Sequence, residues 1–218
     1  MKKIIIKLFV FLIVGFVAYS CAKSIVVSAK QEAAAAILKA NNEYKAKMQA
    51  QYEEARNQLA IEVDRYIVSV APKAKIDPFL MIDLCWQYDV DIRFVLAQGQ
   101  VESHFATKGT AAKTKSIFNV GAYDGHSASR QKRNGFGYTN PNESIEPYLK
   151  LITNDYLING KTERDLMRNY VNGLGQRYAS NPRYERMLRS VYNRICDHTD
   201  FCDAYDKYLL SQYNLKNC

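Results

Sequence analysis

From Ser28 to Val70 the chain runs without a single proline or glycine and is rich in Ala, Glu, Lys and Gln. These are strong helix formers. Apolar or aromatic residues fall at Ile37, Ala40, Tyr44, Met48, Tyr52, Ala55, Leu59, Val63, Tyr66 and Val70. Every step is three or four residues, which marks one stripe of a single long helix. The stripe is thin and alanine-rich in its first half. It suits a tether, a self-associating coiled-coil seam or a helix laid on a domain, and a polar helix of this length is most simply a spacer. Ala71-Pro72 ends it, because the residue before a proline is pushed out of the helical region.

The segment before this helix has the form of an export signal. Lys2, Lys3 and Lys7 make a positive end, and Leu8–Ala18 is an apolar run. Three outcomes are open: cleavage after the signal, acylation of Cys21, or retention as an anchor. Ile4 to Ala22 is long enough to span a bilayer if Lys7 reaches the interface. The adopted division is an anchor at 1–22, a helical stalk at 23–71, a globular domain at 72–196 and a tail helix at 197–218. The positive end stays inside, so the domain is expected outside the cytoplasm, at the cell envelope.

Charge is uneven. Residues 103–196 carry 15 basic and 7 acidic side chains, whereas residues 1–102 carry 13 and 11. An excess of this kind favours a polyanionic neighbour. Nucleic acid is not expected, because the basic residues are scattered through loops rather than grouped on one helix. Five cysteines are too few for a disulfide scaffold. A bond among Cys196, Cys202 and Cys218 is expected in an exported domain. A zinc site from Cys196, His198, Cys202 and Cys218 lacks the usual spacing, so no metal is expected. Cofactors are not expected either, since no nucleotide or phosphate-binding fingerprint is present.

Within the domain, Asp77-Pro78 starts a helix. Asp89 or Asp91 caps the next, with Ile92, Val95, Leu96 and Gly99 inward. The segment Ser103–Asn142 is polar and glycine-bearing and reads as loops with at most a small hairpin. Ser144 caps a further helix. Thr162 starts another, expected to run to Gly173 or Gly175. Asn181 caps the last, with Tyr184, Leu188, Val191 and Ile195 inward. The tail from Phe201 is expected to pack on the outside. The fold class is mainly α with a small β or loop lobe.

Glu102 stands out. It ends an apolar helix beside Val101 and Phe105, where low-dielectric surroundings oppose ionisation of a carboxyl. A carboxyl that keeps its proton near neutral pH is suited to general acid catalysis. Cys85 lies among apolar neighbours and reads as inert core.

Four elements then occur in order: Ala97-Gln98-Gly99-Gln100-Val101-Glu102-Ser103, Phe118-Asn119-Val120-Gly121, Ser144 to Tyr148, and Tyr178-Ala179-Ser180-Asn181-Pro182-Arg183-Tyr184. Together they resemble the glucosaminidase family of peptidoglycan hydrolases, within the lysozyme-like superfamily. The resemblance implies a lysozyme-like α-helical domain that cleaves peptidoglycan glycan strands at N-acetylglucosamine. It implies Glu102 as catalytic acid and Tyr178 near the reacting sugar. Asp124 is the one acid in the loop region that could serve as a second carboxylate. Gln98, Ser103, Phe118, Asn119 and Tyr184 are the implied substrate-binding residues. The common Glu-Ser-Gly-Trp-Gly reads Glu102-Ser103-His104-Phe105-Ala106 here. A muramidase or lytic transglycosylase of the same superfamily, or a non-catalytic wall-binding protein, are the competing readings.

Overall fold

The computed structural model describes residues 2–121, 127–133, 135, 137–197 and 200–218. Side chains are described for these except 2–15, 17, 18, 21, 22, 24–26, 29, 131 and 133. Two compact units emerge: Met1–Gln51 with Asn214–Cys218, and Tyr52–Tyr213.

Helix α1 (Lys2–Val70) is continuous, as the absence of proline and the three-or-four spacing require. In the first unit its side chains are nearly all exposed, Ile37, Leu38 and Tyr44 among them. Among the described residues no helix is long and apolar enough to cross a membrane. The Leu8–Ala18 run expected to act as an anchor falls almost wholly on side chains outside those described.

The second unit begins at Tyr52 rather than at Pro72. Leu59, Val63, Tyr66 and Ile67 of α1 are all buried in its core. Their spacing puts them on one helical face. The Tyr66 hydroxyl donates to Gln100 Oε1, and Arg56 grips Asp83 of α2 (Pro78–Gln87) through two N–H groups at 2.8 and 2.5 Å. The last third of the expected stalk is therefore part of the globular core.

α2 starts as expected, with Asp77 Oδ1 accepting from the amides of Phe79 at 2.9 Å and Leu80 at 3.2 Å. α3 (Ile92–Ser103) is the central helix: Ile92, Phe94, Val95, Leu96, Ala97, Gln98 and Gly99 are all buried. Asp91 caps it through the Arg93 amide. Short helices α4 (Ala111–Thr114) and α5 (Ala128–Arg133) follow. A 3-10 turn at Pro141–Ser144 leads into α6 (Ile145–Leu151), which widens into a π turn at Ile152–Tyr156. Then come α7 (Glu163–Leu166), α8 (Tyr184–Arg194) and α9 (Phe201–Lys216). α8 packs along α3, and α2 packs on α3 and α6.

Several expectations change. Among the described residues there is no strand in 103–142. Left-handed Lys115, Asn119 and Gly121 interrupt any extended run there. A lone antiparallel bridge joins Val171 to Arg177 instead. α7 starts at Thr162 with a reciprocal cap to Asp165, but ends at Leu166 because the chain then turns Tyr170 into the core. Ser144 does not cap α6 through its side chain; Asn140 caps the preceding 3-10 turn. The tail is core rather than covering, since Phe201, Ala204 and Tyr208 are buried. Cys196 is bonded to Cys202, which takes both from the zinc set considered above. His198 of that set lies outside the described residues.

A chain beginning at Pro72 loses the large buried side chains Leu59, Val63, Tyr66 and Ile67 of α1, each contributing about 1.5–3 kcal/mol. That sum rivals the whole stability of a domain, about 5–15 kcal/mol. We expect residues 72–218 to show no cooperative thermal transition by circular dichroism and residues 52–218 to show one.

Candidate active site

The site begins with the way α3 ends. His104, Phe105 and Ala106 all take left-handed backbone angles, with φ of 48°, 54° and 61°. The His104 amide bonds Gln100 O at 3.1 Å and the Phe105 amide bonds Gly99 O at 3.0 Å, closing the helix. This reversal folds the Phe105 ring back under Gly99. A Cβ at Gly99 would stand 2.9 Å from Phe105 Cε1 and 3.1 Å from Ile117 Cγ2, so the packing requires glycine. Ser103, inside the turn, donates to Ile117 O at 2.6 Å and accepts from the Ala106 amide at 2.7 Å.

Glu102 emerges from this turn partly exposed. The Tyr184 hydroxyl donates to its Oε1. Asn119 Nδ2 donates to Oε2 and to the Glu102 carbonyl oxygen, both at 3.1 Å. Two acceptors facing one Asn atom identify that atom as the nitrogen. Desolvation pushes the Glu102 carboxyl above its ordinary range, and the two hydrogen bonds only partly oppose it.

Behind Tyr184 stands a wall of tyrosines. Tyr178 stacks on Tyr170 at 4.6 Å and on Tyr184 at 5.9 Å. Tyr170 meets Tyr156 edge-on at 5.2 Å. Burial pushes the phenols of Tyr170, Tyr178 and Tyr184 well up, so they remain neutral donors. The Tyr178 hydroxyl donates to Phe118 O at 2.8 Å. Tyr170 and Tyr178 are brought together by a tight hairpin in which the Tyr178 amide bonds Tyr170 O at 2.9 Å.

The expected site residues therefore divide. Asn119 and Tyr184 both touch Glu102, and Tyr178 stacks on Tyr184. Gln98 is fully buried and accepts from the hydroxyls of Tyr148 at 2.5 Å and Tyr170 at 2.9 Å. Its carbonyl is spent inside the core, out of reach of substrate. Ser103 is a buried staple of the helix end, and Phe118 is buried with its ring on Tyr148 at 3.7 Å. These three shape the site from below rather than line it. Arg177 is held by Glu185 at 2.7 Å. Asp124 lies outside the described residues. Tyr170, not anticipated from the sequence, is the hub of the aromatic cluster. The signal for it was the pair of tyrosines flanking Asn172-Gly173-Leu174-Gly175, a turn that sets them side by side.

A helical domain carrying a carboxyl whose pKa is raised by burial, set against a cluster of tyrosines, is built like a glycosidase. Residues 80–197 match the glucosaminidase family model, described as mannosyl-glycoprotein endo-beta-N-acetylglucosaminidase. The match covers more than half of the chain, which belongs to this family. Membership supports a peptidoglycan-degrading glycosidase as the general class. No curated protein and no solved structure matches the chain. The matched span stops short of α1 and α9, both of which supply core.

Because the folded-state pKa of Glu102 is raised, its contribution to stability is full at acid pH. It is lost as pH rises through that raised value. Glu102→Gln should therefore match the wild type in thermal midpoint below about pH 4, the ordinary glutamic acid range. Near neutral pH it should melt higher than wild type; an unchanged difference across this range would contradict the assignment.

Proposed function

We propose that this protein hydrolyses peptidoglycan glycan strands at N-acetylglucosamine, with Glu102 as the general acid. The observation that carries the reading is the state of Glu102. It is partly open to a ligand, yet desolvation raises its pKa above the ordinary glutamate range. Its proton is the one given to the leaving glycosidic oxygen. Once it is given up, Tyr184 and Asn119 donate to the new carboxylate, one on each oxygen. Of the tyrosine cluster, half-buried Tyr178 rather than buried Tyr184 is open to a sugar ring.

Retaining and inverting glycosidases ordinarily employ a second carboxylate. Asp124 is our candidate on sequence grounds. The substrate's own acetamido group is the other route, since it can attack the anomeric carbon in place of an enzyme carboxylate. The substrate lies outside the cytoplasmic membrane. The lysine-then-apolar N-terminus supports an exported or anchored enzyme at the cell envelope.

Full-length protein and Glu102→Gln would be incubated with purified peptidoglycan and the products read by mass spectrometry. Reducing N-acetylglucosamine ends from wild type alone are the expected result. Reducing muramic or anhydro-muramic ends would move the cut to the other bond, as in a muramidase or transglycosylase. No products from the folded wild type would favour the wall-binding reading. Loss of the protonated acid should make activity fall as pH rises through the raised Glu102 pKa. Tyr184→Phe removes a donor that stabilises the carboxylate. It should lower the maximal rate and shift this alkaline limb to higher pH, measured as rate against pH.

A further inference from the structure

A second cavity, of about 320 Å³, opens within the Tyr52–Tyr213 unit at the opposite end of α3 from Glu102. Asp91 and Glu102 are separated by roughly 16 Å along the helix axis. The cavity lies between the end of α1, α2, the turn into α3 and α9. Trp86, Tyr205 and Tyr208 give it aromatic walls, and Leu59, Ile82 and Leu209 add an apolar floor. Trp86 and Tyr208 meet edge-on at 6.4 Å.

Its charge is opposite to that of the protein. The chain carries a net +8, yet the charged lining residues are Asp89, Asp91 and Glu163, with no Lys or Arg among them. Asp91 is already neutralised: Arg93 grips it at 2.6 Å and the Tyr192 hydroxyl donates to it at 2.7 Å. The Arg93 guanidinium also stacks over Tyr192 and Tyr205 at 5.1 and 5.2 Å. That pairing shows an aromatic face here engaging a cation. Glu163 accepts the Asp91 amide at 3.0 Å through Oε1. Among the described residues its Oε2 has no partner, and the exposed Asp89 carboxylate has neither a hydrogen bond nor an ion pair; only the Asp89 amide is engaged, donating to Trp86 O at 3.2 Å. Two carboxylates thus face an aromatic hollow without a cation to balance them. Cys85 at the back wall is buried, with its thiol pushed up by desolvation and by Asp91 and Glu163. It is no nucleophile.

We propose that this cavity binds a primary alkylammonium, its short aliphatic arm against Trp86 and Tyr208 and its charged head toward Asp89 and Glu163. Aromatic faces with nearby carboxylates hold ammonium groups through cation–π attraction and charge pairing. The volume is at the small end of ligand pockets, which suits one amine-bearing chain rather than a sugar. The site stands on residues apart from Glu102, so it does not depend on the reading of the active site.

Trp86 is the single tryptophan of the chain, so intrinsic fluorescence reports on this cavity directly. Full-length protein would be titrated with cadaverine and, separately, with N-acetyl-lysine amide, against 1-pentanol and hexanoate as uncharged and anionic controls. We expect a saturable change with at least one amine and with neither control. Saturation by cadaverine alone identifies free diamines as the source, and saturation by the lysine amide identifies amine side chains of peptides. Asp89→Asn and Glu163→Gln should each weaken the amine about three- to fivefold, the upper scale of one exposed ion pair. Both leave the geometry intact, since Asn tolerates the left-handed angle of position 89 and Gln keeps an acceptor for the Asp91 amide. Their thermal midpoints and peptidoglycan digestion serve as the folding control. No saturable change with either amine would overturn the proposal. Equal responses to pentanol, or variants that bind like wild type, would overturn it too.

Discussion

The approach of the Phe105 ring to Gly99 determines where Glu102 stands. The ring occupies the space a side chain at position 99 would need, and it reaches there only because the chain reverses through three left-handed residues. Non-glycine residues in that conformation cost on the order of 1 kcal/mol each. In the motif this segment resembles, glycines stand at the positions of His104 and Ala106. Here the strain is retained and offset by Ser103, whose hydroxyl ties both the Ala106 amide and the Ile117 carbonyl oxygen. The Ser103 carbonyl also accepts from the Thr107 and Lys108 amides. A residue expected to meet substrate instead closes the turn that presents Glu102.

The protonation of Glu102 is then a contest between solvent exclusion and hydrogen bonding. Tyr184 and Asn119 favour the carboxylate; desolvation disfavours it and prevails. The balance suits an acid that must give up its proton and later recover it. A carboxyl with no donors would hold the proton too firmly, and one in open water would lose it near its ordinary pKa. The tyrosine wall takes part in this balance. Gln98 accepts two buried hydroxyls beneath the wall, from Tyr148 and Tyr170. Tyr170 in turn stacks on Tyr178, and Tyr178 on Tyr184. The position of the Tyr184 hydroxyl is thus supported by a chain of packed rings anchored in α3.

Much of this was legible in the sequence where one residue type answers one local need. Asp77-Pro78 and Asp91 start helices because an extended carboxylate before a first turn satisfies free amides. Glu102, Asn119, Tyr178 and Tyr184 were legible as members of ordered motifs. The inward turn of Gln98, Ser103 and Phe118 was not. A motif preserves residues for packing as readily as for contact with a ligand, and their direction depends on neighbours far away in the chain. Tyr148, Tyr170 and Ser144, which engage those three or their neighbours, lie 27 to 72 residues away. The short α7 escaped for a similar reason: helix propensity favours continuation past Leu166, and the burial of Tyr170 overrides it.

The long helix carries the sharper lesson. Its period is constant from Ile37 to Val70, so periodicity alone cannot say where a spacer ends and a core begins. The density of large apolar residues changes instead. Before Tyr52 they are Ile37, Leu38, Tyr44 and Met48; after it come Leu59, Ile61, Val63, Tyr66, Ile67, Val68 and Val70. Of these later ones Leu59, Val63, Tyr66 and Ile67 are buried, whereas Ile37, Leu38 and Tyr44 are exposed. Burying several large apolar side chains on one face contributes enough to fix a helix onto a domain. A stripe that keeps its spacing while large apolar residues crowd around it marks the point at which the helix joins the core. Here that point precedes the proline by some twenty residues, and the helix end became part of the folding unit that holds Glu102.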